Sequence, residues 1–194
     1  MRLFSHFSFD TLSNTYVVGP DGGGDALLVD PVSFDVPLLE LVEGKGYYVR
    51  HVLLTHYNEA HLAGLRTLRR IYDCSVYAAH ATVLGQSAIT VSHGDRFSLC
   101  CGPIDAITLP GHTSDSVAYF TNGFLFTGLA MTAAEYGKVP NPYAKAILLA
   151  NIRDRVLVLP DETVILPFYG PPSTVLVEKR SFPMQDPSRL AGLA

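Results

Sequence analysis

The chain has 194 residues, of which 48% are hydrophobic and only 16% are charged, and its formal net charge is −4. The high hydrophobic fraction excludes a disordered chain, and the negative charge leaves no basic surface of the kind that holds nucleic acid. No apolar stretch reaches the roughly 18 residues of a membrane-spanning helix. We therefore expect a globular protein with neither nucleic acid nor a membrane as partner.

The N-terminus and the cysteines favour a cytoplasmic protein. Residues 1–7 lack the continuous apolar stretch and the small-residue cleavage site of a signal peptide. The three cysteines are an odd number, and Cys100 and Cys101 are adjacent on a predicted strand, where neighbouring side chains point to opposite faces. We expect reduced thiols rather than a disulfide between them.

The first half of the chain predicts strands that alternate with helices. Short β-branched and apolar runs predict strands over residues 14–18, 26–30, 49–54 and 75–78. Leucine spacing and capping residues predict a helix around residues 38–42, with Ser33 or Asp35 as its cap, and a longer helix over 58–71. Residues 79–85 are expected to form a helical turn.

The second half predicts more strands than helices. Runs between Gly, Pro and Asn predict strands over residues 96–101, 104–109, 116–120, 124–126 and 163–166. Asn141 and Pro142 begin a predicted helix that continues to about Arg155, and residues 171–173 begin a final helix. We expect a single domain over residues 1–194, an α/β layered sandwich with mixed sheets, in which residues 181–194 form a loosely held tail.

Histidines follow two of the predicted strands. The strand over 49–54 leads into T-H-Y-N-E-A-H at residues 55–61, and the strand over 104–109 leads into P-G-H-T-S at residues 110–114. Functional side chains in α/β proteins collect at strand ends. These histidines are therefore the first candidates for a site.

Four segments together resemble the signature of the metallo-β-lactamase superfamily, the fold of glyoxalase II and many other hydrolases. The family pattern reads T-H-x-H-x-D-H, L-P-G-H-T, F-T-G-D and L-P-G-H-G-P. In this chain the four segments read T-H-Y-N-E-A-H, L-P-G-H-T, F-T-G-L and L-P-F-Y-G-P. The resemblance covers about residues 14–174 and implies a four-layer αβ/βα sandwich with two mixed sheets and a site for two metal ions.

The chain departs from the family pattern at most of the metal-ligand positions. Three of these positions keep histidine: His56, His61 and His112. The other four hold Asn58, Ala60, Leu129 and Tyr169. Alkyl groups cannot coordinate a metal, neutral Asn is a poor zinc ligand, and Tyr ionises only near pH ~10. Glu59, in the same turn, is a candidate accessory carboxylate.

These departures lead us to expect a protein that is not an enzyme and that holds no metal. It would bind an unknown small molecule or protein in the former active-site cleft, which Asn58, Ala60, Leu129 and Tyr169 would line. The alternative is a hydrolase of an ester, thioester or related bond. It would use one zinc or iron ion on His56, His61 and His112, or these histidines as acid and base. A third reading is a structural homodimer.

Overall fold

The computed structural model describes residues 1–181, so the predicted tail lies outside the described residues except for Ser181. In chain order the strands are β1 (Arg2–Ser8), β2 (Ser13–Gly19), β3 (Gly24–Val29), β4 (Tyr47–Leu53), β5 (Ser75–Ala78), β6 (Thr82–Val83), β7 (Gln86–Ser87), β8 (Ile89–Thr90), β9 (Arg96–Leu99), β10 (Gly102–Thr108), β11 (Val117–Thr121), β12 (Phe124–Gly128), β13 (Met131–Thr132), β14 (Glu135–Tyr136), β15 (Val164–Pro167) and β16 (Ser173–Thr174). The helices are α1 (Val36–Gly44), α2 (Ala63–Leu68), α3 (Pro142–Asn151) and α4 (Val175–Ser181).

The larger strands form two mixed sheets of six strands each. The first sheet has the order β1-β2-β3-β4-β5-β8 and the second the order β16-β15-β12-β11-β10-β9. In the first sheet β1 to β3 pair antiparallel, whereas β3, β4, β5 and β8 run parallel. Among the described strands of the second sheet, only the pair β12–β15 is parallel. The predicted mixed sheets are confirmed.

Three apolar clusters define four layers. The middle cluster joins the sheets, because Leu27 and Leu53 of the first sheet pack with Tyr119 and Phe126 of the second. A second cluster packs α1 and α2 on the outer face of the first sheet, and a third packs α3 on the outer face of the second. The order of layers is therefore helix, sheet, sheet, helix, as expected. Each fully buried leucine contributes about 2 kcal/mol to this packing.

The predicted helix over 58–71 is wrong in its extent. Asn58 caps a single 3₁₀ turn over Glu59–His61, accepting a hydrogen bond from the Ala60 N–H. The chain then leaves helical geometry at Leu62 (φ −108°, ψ 11°), and α2 runs only from Ala63 to Leu68. This break turns the His61 side chain away from the α2 face and towards His56.

Two further differences from the sequence prediction in the first half have local causes. Residues 79–85 form no helical turn, because Leu84 (φ +54°) and Gly85 (φ +74°) make the tight turn of the β6–β7 hairpin. The strand β1 was not predicted; it is an edge strand that pairs residue by residue with β2. By contrast, Asp35 caps α1 as predicted, accepting a hydrogen bond from the Leu38 N–H.

In the second half, two predicted elements begin or end elsewhere. The strand predicted over 96–101 ends at Leu99, and Cys100 and Cys101 form the turn before β10 rather than opposite faces of a strand. All three cysteines carry free thiols. The final helix begins at Val175, because Ser173 and Thr174 first pair with β15. Within residues 1–181, no helix is long and apolar enough to cross a membrane.

Candidate active site

The three histidines predicted as site residues lie close together, where the strand ends of the two sheets meet. His56 follows β4, and His61 follows in the 3₁₀ turn, so that His56 Nε2 lies 3.0 Å from His61 Nδ1. His112 arrives from the loop after β10, and its ring centroid lies 6.5 Å from that of His56. The rings of His56 and His61 are perpendicular, with centroids 5.3 Å apart.

A buried carboxylate is linked to this histidine cluster by hydrogen bonds. Asp30, at the end of β3, accepts hydrogen bonds from the Thr55 N–H (2.9 Å) and from the Thr55 hydroxyl (2.7 Å). The same hydroxyl lies 3.1 Å from His56 Nδ1. Burial raises the pKa of Asp30 to about 6, although the two bonds from Thr55 oppose the shift. Asp30 is therefore mostly ionised above neutral pH.

Burial keeps the two inner histidines neutral. It lowers the pKa of His56 to about 4, against a smaller opposing effect of Asp115. Burial also lowers the pKa of His61, and His56 lowers it further. Because charging either imidazole is unfavourable, both retain a lone pair at neutral pH. A lone pair is what a metal ligand or a proton acceptor requires.

Phe168 closes the far side of the histidine pair. It is 1% exposed and stacks on His61, with centroids 5.0 Å apart and an interplanar angle of 25°. Its edge also meets His56 at 5.6 Å. Phe168 occupies the place where the family pattern has the glycine of L-P-G-H.

The cluster opens into a cavity of about 520 Å³. The lining residues are Asn58, His61, His112, Leu129, Thr132, Ala133, Glu135, Tyr136, Gly137, Lys138, Tyr169, Gly170 and Pro171. Asn58, Leu129 and Tyr169 are among these lining residues. His56 is 6% exposed and stands behind His61 rather than in the lining.

Two predicted residues do not reach this cavity. Ala60 is exposed on the 3₁₀ turn and is absent from the lining, which corrects the prediction that it lines the cleft. The Glu59 carboxylate lies 2.8 Å from the Arg66 guanidinium, on the solvent side of the same turn. The 3₁₀ turn thus places His61 in the cavity lining, and Glu59 and Ala60 on the exposed side.

Residues 131–138 form one wall of the cavity. The β13–β14 hairpin carries Thr132, Ala133 and Tyr136 into the lining, and Lys138 follows it. Ala134 adopts φ +60° at the turn, and its N–H donates to the buried Glu178 carboxylate at 3.1 Å. Lys138 also supplies the backbone carbonyl to which His112 Nδ1 donates at 2.5 Å. The hydrogen bond to Glu178 ties this turn to a residue distant in sequence.

Comparison with known proteins assigns the fold and site to a class. The family model described as the metallo-beta-lactamase superfamily matches residues 9–84. The chain belongs to the metallo-β-lactamase superfamily, and the resemblance in its sequence is confirmed.

The sequence relatives are hydrolases by name. A hydroxyacylglutathione hydrolase from Hamiltonella defensa subsp. Acyrthosiphon pisum is 30% identical over 146 residues, which are 75% of this chain and 57% of that protein. A hydroxyacylglutathione hydrolase from Yersinia enterocolitica is 32% identical over 140 residues, 72% of this chain and 55% of that protein. The matches thus span only a little over half the length of these relatives.

Solved structures agree with the fold. ETHE1 from Myxococcus xanthus superposes with a TM-score of 0.84 at 25% identity, over 94% of this chain and 84% of that one. TTHA1623, solved in a di-iron-bound form, gives a TM-score of 0.74 at 25% identity, over 92% of this chain and 98% of that one. The prediction of a non-catalytic protein is wrong, because the relatives bear the names of enzymes.

The donor set suits one metal ion better than two. At the tetrahedral angle, a Zn–N bond of about 2.1 Å places the ring centroids of two histidines on one ion roughly 5.3 Å apart. The His56–His61 separation is 5.3 Å, whereas the His56–His112 separation of 6.5 Å is wider. Three histidines suffice for a catalytic zinc ion. A second ion would need the carboxylates that Ala60 and Leu129 replace.

The histidines are not yet arranged as ligands. Across residues 1–181, no three His, Cys, Asp or Glu side chains are placed to hold an ion as they stand. The hydrogen bond between His56 Nε2 and His61 Nδ1 occupies the space between the two rings. Binding one ion would therefore require the His61 ring to turn.

Proposed function

We propose that this protein is a hydrolase of an acyl ester or thioester, with thioesters as the first class to test. The observation that carries the proposal is the placement of His61 and His112 on the surface of one cavity, with neutral His56 directly behind them. The names of the sequence relatives support a thioester of a hydroxyacyl group and a small thiol as substrate.

The remaining lining suits such a substrate. Leu129, Tyr136 and Tyr169 offer apolar and aromatic surface to an acyl chain or a thiol moiety. Lys138 adds a cationic side chain to the lining, which would favour a substrate that carries a carboxylate. The ammonium of Lys145 lies 5.1 Å from the centre of the Tyr136 ring and helps to hold that ring in place.

We further propose one zinc or iron ion as cofactor, held by His56, His61 and His112. When bound, such an ion polarises an acyl carbonyl and makes water nucleophilic near neutral pH. Outer hydrogen bonds of the kind that orient metal-bound histidines are present: His56 Nδ1 donates to the Thr55 hydroxyl, and His112 Nδ1 donates to the Lys138 carbonyl. They support the proposal because each leaves the Nε2 atom of its histidine without a proton.

Thioester hydrolysis by the full chain tests the proposal. A hydroxyacylglutathione is supplied with zinc or ferrous iron, and release of the free thiol is followed. We expect turnover above blank, reduced at least about 100-fold in His112→Ala. His93→Ala is the matched control, since His93 is an exposed histidine outside the cavity lining, and it should keep full activity.

Two results would contradict the proposal. One is the absence of turnover with thioester, aryl ester and lactam substrates alike. The other is equal activity in His112→Ala and His93→Ala, which would place the chemistry elsewhere.

We also propose a cytoplasmic location. The support is chemical: Cys74, Cys100 and Cys101 are free thiols, as is usual in reducing compartments. Cell fractionation with an antibody against the chain tests this point independently of activity.

A further inference from the structure

A continuous hydrogen-bonded chain runs from Asp30 to the cavity. It passes from the Asp30 carboxylate to the Thr55 hydroxyl (2.7 Å), from there to His56 Nδ1 (3.1 Å), and from His56 Nε2 to His61 Nδ1 (3.0 Å). Asp30, Thr55 and His56 are 6%, 2% and 6% exposed. Because water has little access, the protein itself decides where each proton lies.

The direction of each bond follows from proton counting. An ionised carboxylate only accepts, so the single proton of the Thr55 hydroxyl goes to Asp30. The hydroxyl oxygen must then accept the next bond, and His56 Nδ1 carries the proton. A neutral imidazole has only one N–H, so His56 Nε2 accepts and His61 Nδ1 donates. The remaining nitrogen, His61 Nε2, is left with its lone pair.

That lone pair belongs to a side chain in the cavity lining. His61 lines the cavity, and in the described part of the chain its Nε2 has no hydrogen-bond partner. The Phe168 ring, stacked on His61 at 5.0 Å, holds the imidazole plane in the orientation that keeps Nδ1 against His56. The orientation of His61 is thus fixed from two sides.

Asp30 has no evident structural reason to be charged. Its backbone adopts φ +49°, a left-handed conformation that is unfavourable for a residue with a side chain. Within residues 1–181 no cationic side chain forms an ion pair with its carboxylate. A buried, unpaired carboxylate is costly. Within residues 1–181, the hydrogen bonds of its carboxylate are with Thr55 alone, which directs its effect towards His56.

We propose that Asp30, acting through Thr55, is a positioning residue that fixes the tautomers of His56 and His61 and leaves His61 Nε2 unprotonated at the cavity. This inference deepens the proposed hydrolase and rests on it for its role in catalysis. The tautomers themselves are independent of that function. Either role of His61, as metal ligand or as proton acceptor, needs this lone pair.

Nitrogen NMR of the metal-free full chain, labelled at histidine and held at about pH 8, reads the tautomers directly. We expect His56 with its proton on Nδ1 and an unprotonated Nε2, and the same for His61. Thr55→Val removes the hydroxyl at nearly constant shape and should convert His56 to a mixture or to the Nε2–H form. Thr55→Ser restores the hydroxyl and should restore the wild-type spectrum.

Thr15→Val is the matched control. Thr15 is a buried threonine whose hydroxyl donates to the backbone carbonyl of Asp30 at 2.9 Å and not to its carboxylate. It should leave both tautomers unchanged. If Thr55→Val does not fold, as judged by circular dichroism, Asp30→Asn provides the second variant, with the same expected loss of the His56 tautomer.

Three results would overturn the inference: His56 protonated on Nε2 in the wild type, a Thr55→Val spectrum identical to wild type, or the same change in Thr15→Val. Where the thioester assay shows turnover, Thr55→Val should lower kcat about tenfold with little change in KM, and Thr55→Ser should recover it. Failure of the proposed function would remove the turnover but leave the tautomers as described, so the two failures are distinguishable.

Discussion

The two walls of the cavity differ in what they are made of. The inner wall consists of His61, which lines the cavity, and of Asp30, Thr55 and His56 behind it; all four come from the first sheet and its loops. The outer wall consists of His112, Leu129, Tyr136, Lys138 and Tyr169, which come from the second sheet and its loops. The inner wall is joined by three successive hydrogen bonds, whereas the outer wall is largely apolar and aromatic.

This difference indicates how functions are divided between the two walls. All of the inner wall lies within residues 9–84, the range that matches the family model, and all of the outer wall lies beyond it. The inner wall holds neutral, desolvated imidazoles in fixed orientation, as proton transfer requires. The outer wall departs from the family pattern at Leu129 and Tyr169 and offers surface for recognising a substrate.

The largest expected effect comes from the point where the walls touch. Gly128 of β12 has φ +56°, and a Cβ at this position would overlap the Thr55 hydroxyl. Gly128→Ala should therefore lower the free energy of unfolding by about 3 kcal/mol, through backbone strain and overpacking together. Urea unfolding followed by circular dichroism measures the loss.

Gly123→Ala separates the two causes. Gly123 also has a positive φ (+81°), but a Cβ there would meet open space. We expect a loss of only about 1 kcal/mol from the backbone conformation. Equal losses in the two variants would mean that the inner and outer walls are not in tight contact at Thr55.

A second effect, of similar size, is a pH dependence that belongs to the inner wall. The folded state holds the pKa of His56 near 4, below the ordinary value of 6.5, so it binds this proton less readily than the unfolded chain. The resulting loss of unfolding free energy is absent above pH 6.5, the ordinary pKa of histidine in the unfolded chain. It grows as pH falls from 6.5 to 4, where it reaches about 3 kcal/mol. Asp30 has the opposite effect on the pH dependence of the unfolding free energy, because the folded state raises its pKa to about 6.

Comparison with His56→Gln isolates the histidine, since Asp30 is present in both proteins. The wild type should lose about 3 kcal/mol of unfolding free energy relative to the variant between about pH 7.5 and pH 4. Urea unfolding across this range checks it. Parallel curves for the two proteins would show that His56 is not desolvated and that the inner wall is as open as the outer one.

The smallest expected effect tests the missing carboxylate in the outer wall. Leu129→Asp places an anionic oxygen in the lining at the position where the family pattern has Asp. We expect it to bind zinc at least about tenfold more tightly than wild type, because carboxylate is a zinc ligand and an alkyl group is not. Competition with a chromogenic chelator measures the affinity.

Leu129→Asn is the matched control, since it has nearly the same shape as Leu129→Asp but no charge. It should bind zinc about as the wild type does. Equal tightening in both variants would mean that the loss of bulk at residue 129, rather than the carboxylate, governs metal binding.

Most of the layered fold was predictable from sequence because its signals are local. Apolar and β-branched runs marked the long strands, and Asp35, Asn58 and Asn141 marked the starts of helical segments. The failures have two causes. β1 and the β6–β7 hairpin pair with residues close in sequence, at turns where Leu12 and Leu84 adopt a positive φ that leucine rarely takes. The β13–β14 turn, by contrast, has a partner distant in sequence, since the Ala134 N–H donates to Glu178.

The sequence by itself determined the family, the order of the elements and the three histidines, since these follow from motifs within a few residues. It also located the missing carboxylates, at Ala60 and Leu129. Only the tertiary structure decided that Ala60 and Glu59 face outwards, that Phe168 stacks on His61, and that Asp30 reaches His56 through Thr55. These contacts join residues of the two sheets and of one 3₁₀ turn. They depend on tertiary packing, because packing decides which side chains meet and which are shielded from water.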